Sequence, residues 1–102
     1  MPWYIKTEKF TEETKLLSNE VRQEYLQKHR YWVNELHKSG TKISSGYLVD
    51  ENRLPGGGGL LVIESDSFNA AKSIIEKDPM ITAGLVTWKI QEWVKVSGKL
   101  LI

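Results

Sequence analysis

A chain of 102 residues with 14 basic and 13 acidic side chains has room for one domain, residues 1–102, at a formal net charge of +1. Balanced charge without a basic block argues against electrostatic capture of nucleic acid or of an anionic membrane surface. With no cysteine, neither a disulfide scaffold nor a thiolate metal site can form. The opening MPWYIKTE is charged by Lys6 and has no apolar signal core, and no stretch approaches the roughly 18 apolar residues of a membrane span. The expectation is a cytoplasmic protein whose thin core a partner could extend, since a domain of this size buries only about two-thirds of its unfolded surface.

Trp3 to Glu8 alternates Trp3, Ile5 and Thr7 against Tyr4, Lys6 and Glu8, which predicts a first strand with Trp3, Ile5 and Thr7 on its apolar face. Lys9 to Ser18 is polar, with Phe10, Leu16 and Leu17 as anchors, and reads as a loop with at most a helical turn. From Asn19 to Gly40, Val21, Tyr25, His29, Trp32, Val33 and Leu36 form the stripe of a long amphipathic helix. Ser18 or Asn19 caps its start, and Gly40 ends it behind Lys38. His29 sits mid-stripe, where a leucine would be expected, and an unpaired imidazole there costs on the order of 1–3 kcal/mol. Arg22 projects from nearly the same angle two turns below, and His37 falls outside the stripe as a solvated residue.

TKISSGYLVD predicts a second strand, with Gly46 marking a bulge or a close backbone approach. DENRLPGGGG reads as a flexible hairpin connection; it lacks the GK[ST] and following helix of a phosphate loop, and could close as a lid. Leu60 to Ser65 predicts a third strand, apolar at consecutive positions and so buried on both faces. A second helix spans about 67–77 behind Asp66 or Ser67, with Phe68, Ala71, Ile74 and Ile75 as its stripe. The next position in register is Asp78, and Asp78-Pro79 ends the helix with the carboxylate turned toward the core. Met80 to Leu85 is an apolar turn, and Val86, Trp88 and Ile90 alternate along a fourth strand. The tail, residues 94–102, is apolar enough that it is expected to pack.

The order β-α-β-β-α-β defines a ferredoxin-like α+β fold with a four-stranded antiparallel sheet and both helices on one face. Four tryptophans and the doubly apolar third strand leave the other face in need of cover, for which a second copy packed sheet to sheet is the simplest expectation.

The chain also resembles the YCII-related family of dimeric α/β-barrel proteins. The resemblance rests on a histidine in the first long helix followed by Gly40, a strand carrying Gly46, the strand Leu60–Glu64, Ala70-Ala71, and Asp78-Pro79 followed by Ala83-Gly84-Leu85. It implies an active site formed by His29 and Asp78, the two residues that already stood out on their helical stripes. Tyr47 stands where family proteins often carry proline, which bears on pocket shape.

The expected function is a cofactor-independent small-molecule enzyme of lyase, isomerase or dehydrochlorinase-like type. In it the His29–Asp78 pair moves a proton, no metal is bound, and Arg22, Tyr25, Trp32 and Tyr47 contact the small-molecule ligand. The alternative is a non-catalytic ligand-binding or accessory dimer. A third possibility is that the pair only ties the two helices together.

Overall fold

The computed structural model describes residues 1–99. Strand β1 (Trp3–Phe10) leads through the short helix α1 (Glu12–Lys15) into the long helix α2 (Asn19–Lys38). Strands β2 (Ile43–Val49) and β3 (Pro55–Glu64) form a hairpin, followed by helices α3 (Phe68–Ile75) and α4 (Pro79–Thr82) and by strand β4 (Val86–Trp93). The sheet is four-stranded, in the order β2-β3-β1-β4, and every pairing is antiparallel. This is the ferredoxin-like α+β arrangement expected from the element order.

The elements begin and end where local chemistry predicts. Ser18 accepts a hydrogen bond from the Val21 amide at the start of α2, and Gly40, at φ 95°, turns the chain out of it. Ser67 caps α3 by accepting from the Ala70 amide. Asp78 lies beyond the C-cap of α3 and caps α4, with Pro79 as that helix's first residue, so the Asp-Pro pair starts one helix as well as closing another.

Register settles which side chains face the helices. Tyr4 pairs with Ile63, Lys6 with Leu61 and Ile90, and Glu8 with Gly59 and Trp88, so these residues share one face. Tyr4, Leu61, Ile63, Ala71 and Ile75 are buried there, with Trp32, Ile43, Trp88 and Ile90 packed against them. A second cluster, Met80, Leu85 and Val86, seats α4 and gathers Phe10, Leu17, Tyr25 and Leu26. The apolar face of β1 read from the alternation is therefore the outer one. Trp3, Ile5 and Thr7 are half-buried on the side away from the helices, whereas Tyr4 and Lys6 point inward. Alternation fixes the period of a strand but not its side, and here the inward lysine finds carboxylates to hold it.

The glycine run also departs from expectation. Pro55–Gly59 is strand, with Gly58 and Gly59 paired to Lys9 and Glu8 of β1, and Gly59 also paired to Tyr47 of β2. It is neither a loop nor a lid. The turn itself is shorter: Asp50 accepts from the Asn52 and Leu54 amides, and Arg53 takes a positive φ of 64°. Glycine is required in the strand for space. A Cβ on Gly59 would lie 3.2 Å from Glu8 Cγ and 3.3 Å from the Gly46 carbonyl oxygen.

Beyond β4, Val94 and Val96 are exposed, and the rest of the expected packing of the tail falls on residues outside those described. Among the described residues, no helix is long and apolar enough to cross a membrane.

Gly59→Ala is expected to destabilise the fold by about 1–3 kcal/mol in urea unfolding, through the crowding of Glu8 against Gly46. Gly56→Ala, where a Cβ meets nothing within 4 Å, is expected to change stability far less.

Candidate functional site

The core of this fold contains a polar chain. Asp78 is completely buried, an environment that by itself disfavours a charge. Three donors surround its carboxylate: Oδ1 accepts from His29 Nδ1 at 2.9 Å and from the Met80 amide at 3.0 Å, and Oδ2 accepts from Lys6 Nζ at 3.1 Å. Burial pushes the Asp78 carboxyl up, but the His29 hydrogen bond, the Lys6 charge and the Met80 amide together outweigh it and hold the group below its ordinary value. Asp78 therefore stays ionised.

Lys6, only 1 % exposed, lies between two carboxylates, since its ammonium also pairs with Glu8. Glu8 leads back to solvent; its side chain is 12 % exposed and lies across the space left by Gly59. At the other end His29, 13 % exposed, turns Nε2 to the Ser45 hydroxyl at 2.7 Å. Five side chains, Ser45, His29, Asp78, Lys6 and Glu8, thus form one continuous series of contacts. Both of its ends are accessible and its centre is dry.

The strand register gives this series a surface. Glu8, Gly59 and Tyr47 lie side by side in one row across β1, β3 and β2, and Lys6, Leu61 and Ser45 form the next. Glu8 fills the space over Gly59, and the exposed Tyr47 and Ser45 stand beyond it on β2, with Ser45 against His29. An ionised Asp78 can only accept at Nδ1–H, so Nε2 is the ring atom left to exchange a proton. Among the described residues no group of three or more histidine, aspartate or glutamate side chains has metal-binding geometry.

The remaining expected site residues lie as follows. Trp32 is one turn from His29, its ring 5.8 Å away at 43°, and packs on the core. Tyr25 packs beside the Met80 cluster with Lys28 Nζ 4.9 Å above its ring. Arg22 is directed elsewhere: its guanidinium donates to the carbonyls of Lys15 and Leu17 at 3.1 and 3.0 Å, tying α2 to the turn before it. The cavity expected beside the pair does not coincide with either described recess. Two recesses, of about 670 and 380 Å³, are lined by Tyr31, Trp32 and Pro79 and by Trp3, His37 and Ile43, and include neither His29 nor Asp78. Sequence reasoning overlooked Lys6, Glu8 and Ser45. The signal for Lys6 was its place in the strand alternation, directly between an inward tyrosine and an inward glutamate.

A four-stranded antiparallel sheet with its helices on one face and a histidine–aspartate contact between them defines a ferredoxin-like α+β fold. The YCII-related domain matches residues 3–94, and the chain belongs to that family. Among solved structures it is similar to the 5-chloro-2-hydroxyhydroquinone dehydrochlorinase of Burkholderia phenoliruptrix in complex with 2,5-dihydroxybenzoquinone, at 21 % identity and a TM-score of 0.67, over 90 % of this chain and 93 % of that one. It is also similar to a Deinococcus radiodurans structure assigned as an antibiotic biosynthesis monooxygenase, at 17 % identity and a TM-score of 0.52, over 100 % and 99 % of the two chains. A de novo designed protein shares the fold at 16 % identity and a TM-score of 0.58, over 89 % of this chain and 84 % of its own. No curated protein matches in sequence. At these identities the structural likeness speaks for the fold.

Because the Asp78 carboxyl titrates below its ordinary value of 3.8 in the folded state, its contribution to stability is fully present above that value and is lost as pH falls through the lower folded one. Asp78→Asn is expected to flatten this acid limb of a pH series of urea unfolding. Lys6→Ala, which strands two carboxylates, is expected to cost about 3–5 kcal/mol at neutral pH.

Proposed function

We propose that this protein is a cofactor-independent small-molecule enzyme in which His29, oriented by Asp78, transfers a proton to or from a ligand that meets Nε2 beside Ser45. The observation that carries this reading is the 2.9 Å contact from His29 Nδ1 to an aspartate that is fully buried yet held ionised. A carboxylate so placed fixes the imidazole tautomer and leaves Nε2 for the ligand. The Ser45 hydroxyl holds Nε2 in the resting site and is displaced, or passes the proton on, when a ligand enters. Lyase, isomerase or dehydrochlorinase-like chemistry on a cyclic, hydroxyl- or carbonyl-bearing molecule fits such a group. The similar fold of a 5-chloro-2-hydroxyhydroquinone dehydrochlorinase makes that compound the first probe.

Chloride release from 5-chloro-2-hydroxyhydroquinone is expected with the wild-type protein. His29→Ala is expected to lower kcat by about 100-fold or more, a typical loss for a proton-transfer group. Complete inertness of the wild type toward the probe would count against the reading. The exposed Ser45 and Tyr47 beside His29 also suit a second reading, binding without turnover. It would show as a rise in Tm with 2,5-dihydroxybenzoquinone but no chloride release.

We propose further that a second copy covers the outer sheet face. Trp3, Ile5, Leu60, Val62 and Trp93 are only half-buried there, with Lys95 Nζ 4.8 and 5.3 Å above the two tryptophan rings. Light scattering at micromolar concentration is expected to give the mass of a dimer, and Val62→Glu the mass of a monomer.

A further inference from the structure

We infer that Ser45 is a nucleophile, activated by His29 and Asp78, and that it accepts the acyl group of small carboxylic esters. The inference goes beyond proton exchange between His29 and a ligand, and shares with that reading only the His29–Asp78 contact.

The first observation is geometric. Ser45 Oγ lies 2.7 Å from His29 Nε2, and His29 Nδ1 lies 2.9 Å from Asp78 Oδ1. A hydroxyl, an imidazole and a carboxylate in series at such distances form the arrangement that activates a serine, whatever their order in the chain. The direction of the hydrogen bonds follows from what can accept. Asp78 is ionised and only accepts, so Nδ1 carries the ring hydrogen and Nε2 a lone pair. The Ser45 hydroxyl therefore donates to Nε2, the base that would remove its proton. The second observation is access. Ser45 is exposed, His29 is 13 % exposed and Asp78 is completely buried. The hydroxyl meets solvent while the charge behind it is kept from water.

The third observation is register. β2 is an edge strand, and the Glu64 amide donates to the Lys42 carbonyl. Antiparallel pairs alternate, so Ser44 and Gly46 turn their amides toward β3, and Ser45 turns its own toward the free edge. The nucleophile's N–H is thus left without a ladder partner, as a donor for the oxyanion of a tetrahedral intermediate. Ser44 and Gly46 are small and exposed, so a carbonyl can approach along this edge. Neither recess described above is lined by Ser45, which favours a short acyl group over a long chain.

His29 is neutral at rest. Oγ attacks the ester carbonyl carbon while Nε2 takes the hydroxyl proton, and the imidazolium so formed faces the Asp78 carboxylate. The bond from carbon to the leaving oxygen then breaks, and that oxygen takes the proton from Nε2. Water attacks the acyl-serine by the same route and frees the carboxylic acid and Ser45. One ester and one water give one acid and one alcohol, with no other reactant.

The test incubates the protein with a fluorophosphonate, which traps activated serines, and reads intact mass and then the labelled peptide. One adduct per chain on Ser45 is expected, with none in Ser45→Ala, whose exposed position leaves the fold intact. The wild-type rate is expected to exceed that of free N-acetylserine amide by about 100-fold or more, and to fall as far in His29→Gln. Hydrolysis of 4-nitrophenyl acetate is expected in the wild type and not in Ser45→Ala. No adduct, an adduct elsewhere, hydrolysis retained in Ser45→Ala, or a His29→Gln rate equal to wild type overturns the inference. Should His29→Gln fail to fold, a wild-type rate within tenfold of the free serine overturns it instead. Chloride release from 5-chloro-2-hydroxyhydroquinone by a protein that takes no label also overturns it and leaves the proton-transfer reading standing. Labelling of Ser45 in a protein inert to that compound supports it and removes the other.

Discussion

The buried carboxylate of Asp78 sets the terms for everything around it. An ion without access to water must be met by donors on every side, and three separate parts of the chain supply them: His29 from α2, Lys6 from β1 and the Met80 amide from α4. Each donor is also a tether. The contact to His29 draws α2 down over the sheet, the contact to Lys6 makes a charged residue an inward one, and the cap on α4 fixes the turn that leads into β4. Hydrophobic burial supplies most of the driving force for such a domain, but apolar contacts tolerate many relative positions of a helix on a sheet. Hydrogen bonds of about 3 Å to a single carboxylate tolerate few.

Much of this was legible in the sequence because periodicity and polarity conflict at a few places. His29 stands on an apolar stripe and Asp78 is in register with another, and both anomalies led to the pair that the structure brings together. Two features were harder to read. Lys6 occupies a position whose alternation is equally consistent with a solvent-facing row. Only the register against Leu61 and Ile90 shows that its row faces the helices. The glycine run has the composition of a loop, and composition cannot distinguish a chain kept flexible from one kept slim. Gly59 is slim because Glu8 lies over it, a contact between residues 51 positions apart that no local pattern encodes. Arg22 shows the converse: an angle shared with His29 on the helix wheel does not bring it to the site when two nearby carbonyls hold it.

Membership of the YCII-related family and the likeness to a dehydrochlorinase and to an assigned monooxygenase place the chain on a scaffold that serves more than one chemistry. In this chain the histidine–aspartate contact continues on both sides, to Ser45 and to Lys6–Glu8.

Helix α2, which carries His29, has no fully buried residue along its 20 positions. Its stripe is half-covered throughout, and elements with few fully buried contacts open at lower free energy than the core they lie on. The aspartate, by contrast, is completely buried. The two halves of the site therefore belong to units of unequal mechanical stiffness: a stiff bed holding the carboxylates and a softer arm holding the imidazole. Any ligand that touched both would act as a clasp between them, and the firmness with which the arm is docked would then measure how well it fits.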